Sequence, residues 1–418
     1  MLSSYFRDSP EYERRKATPF APPLVTWSEL HAMIPRHLFV KNTLKGLSYV
    51  VRDVILAYLL YKLAWQISPI VSNLQLNYRM SSLATSVVNM CLWLCYWHCQ
   101  GILLTSWWCL AHEASHGTLS PHRWVNDFVG FLLHTTLLVP YFAWKSSHHS
   151  HHISTVSVER DENYVPPTRS QTSLPPSNIA RIADYREALE ESPLHTFLRI
   201  IAMQLLGLHS YLFFNCKGSP RYPPGTNHFD PNSALFKSHE RTGVLISDVG
   251  LAIMCFMLYI WAKHVGLVVF VRFYLIPFML VNHWIVLLTY LQHTDPTIPY
   301  YREKEWSFVR GALSTVDRPL LGWIGRVFFH NVSHNHISHH LFSSIPFYNQ
   351  PEATECIKAV LKDAYNYDST NTLRALYRSF VECEFIEDDG EIIFYKNRQG
   401  KATRVLAPKA QSNEATIE

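Results

Sequence analysis

Histidine is concentrated in three short stretches of the 418-residue sequence. They read HEASH, from His112 to His116, HHSHH, from His148 to His152, and HNHISHH, from His334 to His340. Neutral imidazole is the commonest side-chain ligand of metal ions in proteins. A surface that faces lipid would be destabilised by so many polar rings. The three stretches therefore predict a shared metal site.

The spacing within each stretch places several imidazoles on one face of a helix. Residues three or four apart are neighbours on a helix surface, so their rings can reach the same ion. His149 and His334 fall outside this pattern. A single pair of histidines at this spacing is weak evidence for metal binding, because surface histidines can cluster by accident. Three such stretches, each beside a hydrophobic segment, favour a metal site. The candidate ligands are His112, His116, His148, His151, His152, His336, His339 and His340.

The number of these ligands indicates two metal ions, since a protein-bound zinc ion usually takes about four. Nitrogen ligands suit zinc, copper, iron and nickel alike, so the ligand type leaves the metal open. Carboxylates, which hold the metals of soluble di-iron bundles, are not prominent here, although Glu113 can support the neighbouring histidines. Two irons at a membrane would suit oxygen activation on a lipid chain, because an unactivated C–H bond requires a strong oxidant.

The composition indicates a protein embedded in a membrane. The chain is 48% hydrophobic and 17% charged, whereas soluble domains are about 25% charged. The net charge is +4 and there is no long basic run, which argues against nucleic-acid binding. The eight cysteines show no secreted-type framework, and the polar N-terminus is unlike a cleavable signal peptide.

Four long apolar segments predict transmembrane helices, because a span needs roughly 20 mostly apolar residues. These segments cover residues 47–67, 83–110, 245–262 and 266–290. Two shorter runs are less clear. Residues 128–143 are expected to form a re-entrant or interfacial hairpin, and residues 196–214 are expected to lie in the interface or to cross it in part.

This order of segments places the three histidine stretches on one face of the membrane. Two spans precede the first stretch, the short hairpin returns before the second, and two more spans leave and return before the third. The predicted fold is an all-α membrane protein with four transmembrane helices, interfacial helices and, on that face, a helical cap that holds a His-rich di-iron site. A His-rich metal transporter is the rival, but it would need ionisable residues in mid-span.

The two ends of the chain are predicted to be less ordered than the rest. Residues 1–24 are polar and predict a flexible cytosolic arm, and Thr26 is expected to cap an amphipathic helix on the membrane surface. Residues 25–385 would form the main domain. Residues 386–418 predict a short hairpin about Asp389-Gly390, followed by a disordered tail.

The motifs around the histidines resemble those of the membrane-bound fatty acid desaturases, especially the plant and fungal oleate Δ12-desaturases and their Δ15 relatives. AHEASHGTLSP is similar to the family's first histidine box, HHSHHISTVSVERDENYVPP to the second, and FHNVSHNHISHHLFSSIPFYN to the third. The resemblance covers roughly residues 25–385. Two features depart from the family pattern: Ala114-Ser115 stand where Cys-Gly is usual, and His149 is an extra histidine.

The resemblance implies a multi-pass protein of the endoplasmic reticulum membrane whose histidine boxes face the cytosol. It implies two iron ions as cofactors, O₂ as co-substrate and a fatty acyl lipid as substrate. His293, just past the fourth span, is the expected ligand outside the boxes; His330 is a second candidate, with a supporting hydrogen bond as its alternative role. The implied ligands are His112, His116, His148, His151, His152, His293, His336, His339 and His340.

The implied reaction is the introduction of a cis double bond into an unsaturated acyl chain, of the oleoyl-to-linoleoyl type. Because His336 stands where front-end desaturases have Gln, we expect a methyl-end enzyme. Such an enzyme would receive its electrons from a separate cytochrome b5 and its reductase. Acetylenases, conjugases, epoxygenases and hydroxylases share this scaffold and remain alternatives. Four acids are expected either to orient ligand rings or to cap loops. They are Asp161, Glu162, Asp295 and Asp317.

Overall fold

Long apolar helices form the frame of the protein. The computed structural model describes residues 6–408, and within them five helical stretches are long and apolar enough to cross a membrane. They are Thr43–Asn77, Ser82–Ser115, Pro193–Phe214, Arg241–Val265 and Leu267–His293. Four of these overlap the predicted spans. The fifth, Pro193–Phe214, is the run that the sequence left open, so the number of spans stays a prediction.

The remaining elements are shorter helices and one small sheet. In chain order, the α-helices of the described residues are α1 (Pro10–Ala17), α2 (Trp27–Ala32), α3 (Thr43–Ala64), α4 (Ile67–Asn77), α5 (Ser82–Ser115), α6 (Arg123–Thr136), α7 (Tyr141–His152), α8 (Ile182–Leu189), α9 (Pro193–Phe214), α10 (Arg241–Val265), α11 (Leu267–Phe270), α12 (Ile276–His293), α13 (Phe308–Leu313), α14 (Trp323–Phe328), α15 (His336–Leu341), α16 (Gln350–Leu361) and α17 (Thr372–Glu382). Strands β1 (Tyr300–Tyr301) and β2 (Ile392–Ile393) pair antiparallel. We call α1, α2, α7, α13–α17 and these two strands the cap.

Helix α5 is the central element of the frame and packs against α3, α6 and α12. Its 34 residues give it a length of about 51 Å, whereas the hydrocarbon core of a bilayer is about 30 Å thick. The helix is therefore longer than one bilayer crossing needs. Its C-terminal end carries the first histidine box.

The predicted hairpin over residues 128–143 is present as two helices, α6 and α7. Helix α6 has 14 residues, about 21 Å of helix, which is too short to cross a bilayer. The chain reverses at Leu138, whose φ is 54°, and Pro140 then begins α7. Because of this reversal, the second histidine box lies at the same end of the molecule as the first.

A π-helical turn over Val271–Leu275 precedes Pro277 in the last long helix. Proline has no N–H to donate, so the carbonyl four residues earlier, at Phe273, loses its helical partner. The hydroxyl of Tyr96 donates to that carbonyl at 3.2 Å, and the indole of Trp97 donates to the carbonyl of Arg272 at 2.8 Å. Side chains of α5 thus satisfy the backbone groups that the turn exposes.

Helix α2 begins as predicted but packs differently. Thr26 and Glu29 form a reciprocal capping box, which fixes the start of the helix. Leu30 of α2, together with Ile34 and Leu38 of the segment that follows it, is buried against α13, α15 and α16 of the cap. The amphipathic pattern therefore marks a helix whose apolar face covers the third histidine box, and not one that turns that face to lipid.

The N-terminal segment is folded, so the prediction of a flexible arm over residues 1–24 is wrong for its described part, residues 6–24. Ser9 caps α1 by accepting a hydrogen bond from the Tyr12 N–H at 3.2 Å. Phe20 exchanges backbone hydrogen bonds with Val405 and Ala407. The polar composition suggested a flexible arm because the hydrogen-bond partners of these residues lie far away in the sequence.

The charged residues of α1 join a buried ion network. Arg15 is 4% exposed and approaches Asp295 at 3.6 Å, while Arg318 binds Asp295 at 2.7 Å. Arg378 binds Asp368 at 2.6 Å, and its guanidinium lies 3.4 Å from the centre of the Tyr12 ring. Buried charges persist only when they are paired and hydrogen-bonded, so α1 is part of the cap.

The C-terminal hairpin is confirmed only in part. A turn forms at Gly390, whose φ is 95°, and Phe385 pairs antiparallel with Lys396 on either side of it. The short strand β2, however, pairs with β1 and not within the hairpin. Of the predicted disordered tail, residues 409–418 lie outside the described residues.

Replacing Arg15 by Ala should destabilise the fold, because it removes one of the three arginines that balance the buried charge of Asp295. Two arginines remain, so the cost should be below the roughly 3–5 kcal/mol of a buried ion pair that is fully broken. We expect a lower thermal unfolding midpoint for the detergent-solubilised protein, measured by tryptophan fluorescence. Arg14→Ala is the matched control, since Arg14 is 56% exposed and pairs with a largely exposed Asp363. Equal midpoints for the two variants would contradict a stabilising role for the network.

Candidate metal centre

Four separate segments bring their histidines to one place beneath the cap. The end of α5 carries His112, and His116 follows it as the C-cap residue. Helices α7 and α15 carry the second and third boxes, and α12 ends at His293. Nine imidazoles meet in two groups. The first contains His112, His116, His148, His152 and His339; the second contains His151, His293 and His340, and His336 joins the second through its contacts.

In the first group the ring nitrogens face one another. The Nε2 atoms of His116 and His148 are 3.1 Å apart, and so are those of His148 and His152. The Nε2 atoms of His112 and His339 are 3.2 Å apart. The donor atoms of the group all lie within 4.8 Å of one another. Residues from three helices therefore converge on a single point.

The second group has the same arrangement. The Nε2 atom of His336 lies 2.9 Å from that of His293 and 3.0 Å from that of His340. The ring of His151 lies 4.7 Å from that of His293, between centroids. The two groups adjoin, because the rings of His152 and His340 stack at 4.1 Å. The structure thus places two convergent nitrogen clusters side by side.

These clusters fit metal ions. Nitrogens that each bind one ion at about 2 Å lie about 3 Å from one another, and the Nε2 separations range from 2.9 to 3.2 Å. Burial lowers the pKa of His148, His152, His336 and His340 well below the usual value, and that of His339 to about 3. The cause is desolvation of the charged ring, followed by repulsion between neighbouring histidines. The rings are therefore neutral at pH 7, which is the form that binds metal.

Several rings are held from outside the clusters. The Nδ1–H of His151 donates to Asp161 at 2.7 Å. The hydroxyl of Thr155 donates to the His151 carbonyl, so its oxygen accepts from the Nδ1–H of His340 at 3.1 Å. In both rings this leaves the Nε2 lone pair directed into the cluster. One carboxylate oxygen of Glu113 lies 3.4 Å from Nδ1 of His112.

Of the four acids expected either to orient ligand rings or to cap loops, only Asp161 contacts a ligand ring directly. Asp317 accepts a hydrogen bond from the backbone N–H of Ile337 at 2.9 Å and so fixes the start of α15. Glu162 is bound by Arg221 and Tyr222, and Asp295 belongs to the buried ion network.

The histidines outside the predicted pattern lie outside the clusters. The Nε2–H of His149 donates to the carbonyl of Ser115 at 2.9 Å. His334 is buried away from both groups. The Nε2–H of His330 donates to Asp53 at 2.8 Å, and Asp53 also accepts from Ser106 at 2.7 Å. Of the two candidates beyond the boxes, the structure therefore places His293 in a cluster and gives His330 a different role.

Two tryptophans form part of the site, although they were not predicted as site residues from the sequence. Trp108 stacks on His112 with an interplanar angle of 8°, and Trp144 stacks on His148 with ring centroids 4.3 Å apart. Each tryptophan lies four residues before its histidine on the same helix, so the repeated W-x-x-x-H spacing was a usable signal.

A cavity of about 460 Å³ leads to the histidines. Small-molecule sites usually occupy about 300–1,000 Å³. Its walls are largely apolar and come from α9 and α12, including Met203, Leu206, Val286 and Leu288, while Asn163 and Lys217 add polar groups near the cap. His112, His148, His151, His293 and His336 line the wall at the metal centre. The site can therefore hold a long apolar molecule against the clusters.

Comparison with known proteins agrees with this arrangement. A family model described as fatty acid desaturase matches residues 91–371, and one for a domain of unknown function matches residues 6–62. The chain is 38% identical to a Delta(12) fatty acid desaturase of Mortierella isabellina over 93% of each chain. It is 38% identical to an omega-6 fatty acid desaturase, endoplasmic reticulum, of Brassica juncea over 93% of this chain and 96% of the relative.

A third relative is named for a different activity. The chain is 33% identical to an oleate hydroxylase of Claviceps purpurea, over 94% of this chain and 85% of the relative. The matches to all three relatives cover 93–94% of this chain. The family model spans more than half of the chain, and with these matches it shows that the protein belongs to the fatty acid desaturase family.

Proposed function

We propose that the protein is an oxygen-dependent Δ12-type fatty acyl desaturase that introduces a cis double bond and converts oleoyl chains to linoleoyl chains. The observation that carries the proposal is the apolar cavity that ends against two convergent histidine clusters. The Delta(12) relatives from Mortierella isabellina and the omega-6 relative from Brassica juncea support the choice of substrate and position.

Nine histidines would hold two iron ions, one in each cluster. The ligands would be His112, His116, His148, His151, His152, His293, His336, His339 and His340. Bound iron would supply, with O₂ and electrons, the oxidising power needed to remove two hydrogens from adjacent carbons of an unactivated chain. Cytochrome b5, reduced by its reductase, would be the electron donor.

The protein's own residues would position the acyl chain and keep the rings in place. Trp108 and Trp144 form apolar walls beside His112 and His148 and exclude water from them. Asp161 and Thr155 hold the tautomers of His151 and His340, so that the Nε2 lone pairs point inward. A fixed chain and fixed ligands let the reaction select one pair of carbons, because small displacements decide which bond is attacked.

We further propose that four helical stretches span the endoplasmic reticulum membrane, that the cap and histidines face the cytosol, and that α9 lies in the interface. Both ends of α9 are bound by residues near the cap. Near its start, Thr196 accepts from Arg398 at 3.2 Å; near its end, Tyr211 donates to Asn163 at 2.8 Å. A helix that crossed the bilayer would place these ends on opposite faces. Residues 25–385 would form the desaturase domain, with α1 packed onto it.

Hydroxylation is the second candidate, because the Claviceps purpurea relative is named an oleate hydroxylase. Both outcomes begin with removal of a hydrogen and differ in the following step. Conjugase and acetylenase activities on the same scaffold would show as other products. The choice among them depends on the position of the chain relative to the clusters.

Replacing His148 or His339 by Ala should abolish activity and lower the bound iron, while the protein still inserts into the membrane. Each change removes one Nε2 atom from the first cluster. Iron can be measured by mass spectrometry on the purified protein and activity by fatty-acid analysis. His149→Ala is the matched control and should keep its iron, since His149 binds a backbone carbonyl outside the cluster. Full activity in either cluster variant would contradict the ligand assignment.

Replacing Asp161 by Asn should weaken iron binding by about 10–100-fold, the usual effect of losing a partner that orients a ligand. The amide keeps the size of the side chain but removes the charge that favours the Nδ1–H tautomer of His151. Competition with a chelator would measure the change. Glu159→Gln is the control, because Glu159 is 40% exposed and pairs with Arg302 at the surface. An unchanged affinity for Asp161→Asn would exclude the orienting role.

Expression in yeast supplied with oleate should produce linoleate, identified by gas chromatography and mass spectrometry. The cavity must admit an oleoyl chain far enough to place its twelfth carbon at the clusters. A variant lacking His339 serves as the inactive control. Accumulation of a hydroxylated or conjugated product in place of linoleate would replace the desaturase proposal by the corresponding alternative.

A further inference from the structure

The wall of the apolar cavity contains one position without a side chain. Gly207 of α9 lies against Val286 of α12, and both residues line the cavity. A Cβ atom placed on Gly207 would lie 3.1 Å from one methyl carbon of Val286 and 3.4 Å from the other. The first of these distances is shorter than an ordinary van der Waals contact of about 3.5–4.0 Å. The two helices therefore approach closely here because residue 207 is glycine.

The close approach lies at a defined distance from the metal centre. Val286 precedes His293 by seven residues on α12, which corresponds to about 10 Å along the helix axis. A chain whose reacting carbons lie at the clusters would thus pass Gly207 several carbons away from them. Changes at this point would alter how much chain fits and leave the clusters untouched.

The distribution of polar groups orients the chain in the cavity. The polar groups Asn163 and Lys217 line it near the cap, whereas Met203, Leu206 and Val286 form the apolar wall around Gly207. An acyl lipid has one polar end and one apolar end, and transfer of apolar surface out of water favours the matching orientation. The carboxyl end would lie near the cap and the methyl end near Gly207.

We propose that Gly207 and Val286 determine the chain-length specificity of the enzyme by setting the room for the methyl-terminal segment of the acyl chain. This inference rests on the proposed function, because it requires that the cavity bind the acyl substrate. A side chain at position 207 would narrow the cavity, and loss of the Val286 methyl groups would widen it. Met203 lies beside the same point, 3.8 Å from the added Cβ atom.

The test compares two substrates of different length in the same cells. Yeast expressing each variant receives equal amounts of palmitoleate and oleate, and the products with 16 and 18 carbons are quantified. We expect Gly207→Val to raise the ratio of 16-carbon to 18-carbon product by about tenfold, since one methylene in a tight apolar pocket is worth roughly 10–200-fold. The double variant with Val286→Ala should return the ratio toward that of the unmodified protein. Leu198→Phe, on the exposed face of α9, should leave the ratio unchanged.

If the Gly207→Val protein does not accumulate in the cells, the single variant Val286→Ala still tests the proposal. This change removes atoms from the wall, so it should raise conversion of a 20-carbon monounsaturated chain relative to oleate. Substrate ratios that stay constant in Val286→Ala, or a Gly207→Val protein that loses activity equally on both chains while keeping its iron, would overturn the proposal. Failure of the unmodified protein to convert either chain would instead overturn the proposed function.

Discussion

Nine imidazole rings packed into a buried space set the conditions that the rest of the structure must satisfy. Neighbouring Nε2 atoms in the clusters lie about 3 Å apart, with almost no access to water. Charged rings at these distances would repel one another. To bind a metal, the rings must direct their lone pairs inward, and Asp161 and Thr155 hold the outer nitrogens of His151 and His340 in the orientation that allows this. A protein accepts such an arrangement only where the histidines have a shared function.

Holding these rings together requires rigid support from parts of the chain that are far apart in sequence. Asp295, two residues past His293, is fixed by Arg318 and Arg15, and so joins the end of α12 to the N-terminal helix. Asp317 fixes the backbone at the start of α15. The pair of Asp53 and His330 ties α3 to the chain that enters the third box. Each contact places one ligand-bearing segment relative to the others.

The two departures from the desaturase pattern lie side by side in the structure. The backbone carbonyl of Ser115 accepts a hydrogen bond from the extra histidine, His149. The hydroxyl of Ser115 donates to the carbonyl of His112 at 2.7 Å. The first contact joins the end of α5 to α7 directly beside the first cluster, and neither contact uses a ring of a candidate ligand.

The sequence by itself predicted which histidines share a helix face, because helical spacing is a local property. Positions three or four apart share a helix face, so the box members, and the exclusion of His149 and His334, could be read from the order of residues. Apolar length likewise determined which helices are long enough to span a bilayer. The tertiary structure decided what depends on contacts between distant segments: the division into two clusters, the hydrogen bond of His330 to Asp53, and the close approach of Gly207 to Val286. It also decided that Tyr12 and Arg15 of α1 are buried, since the ion-pair partners of Arg15 come close to it only when the chain is folded.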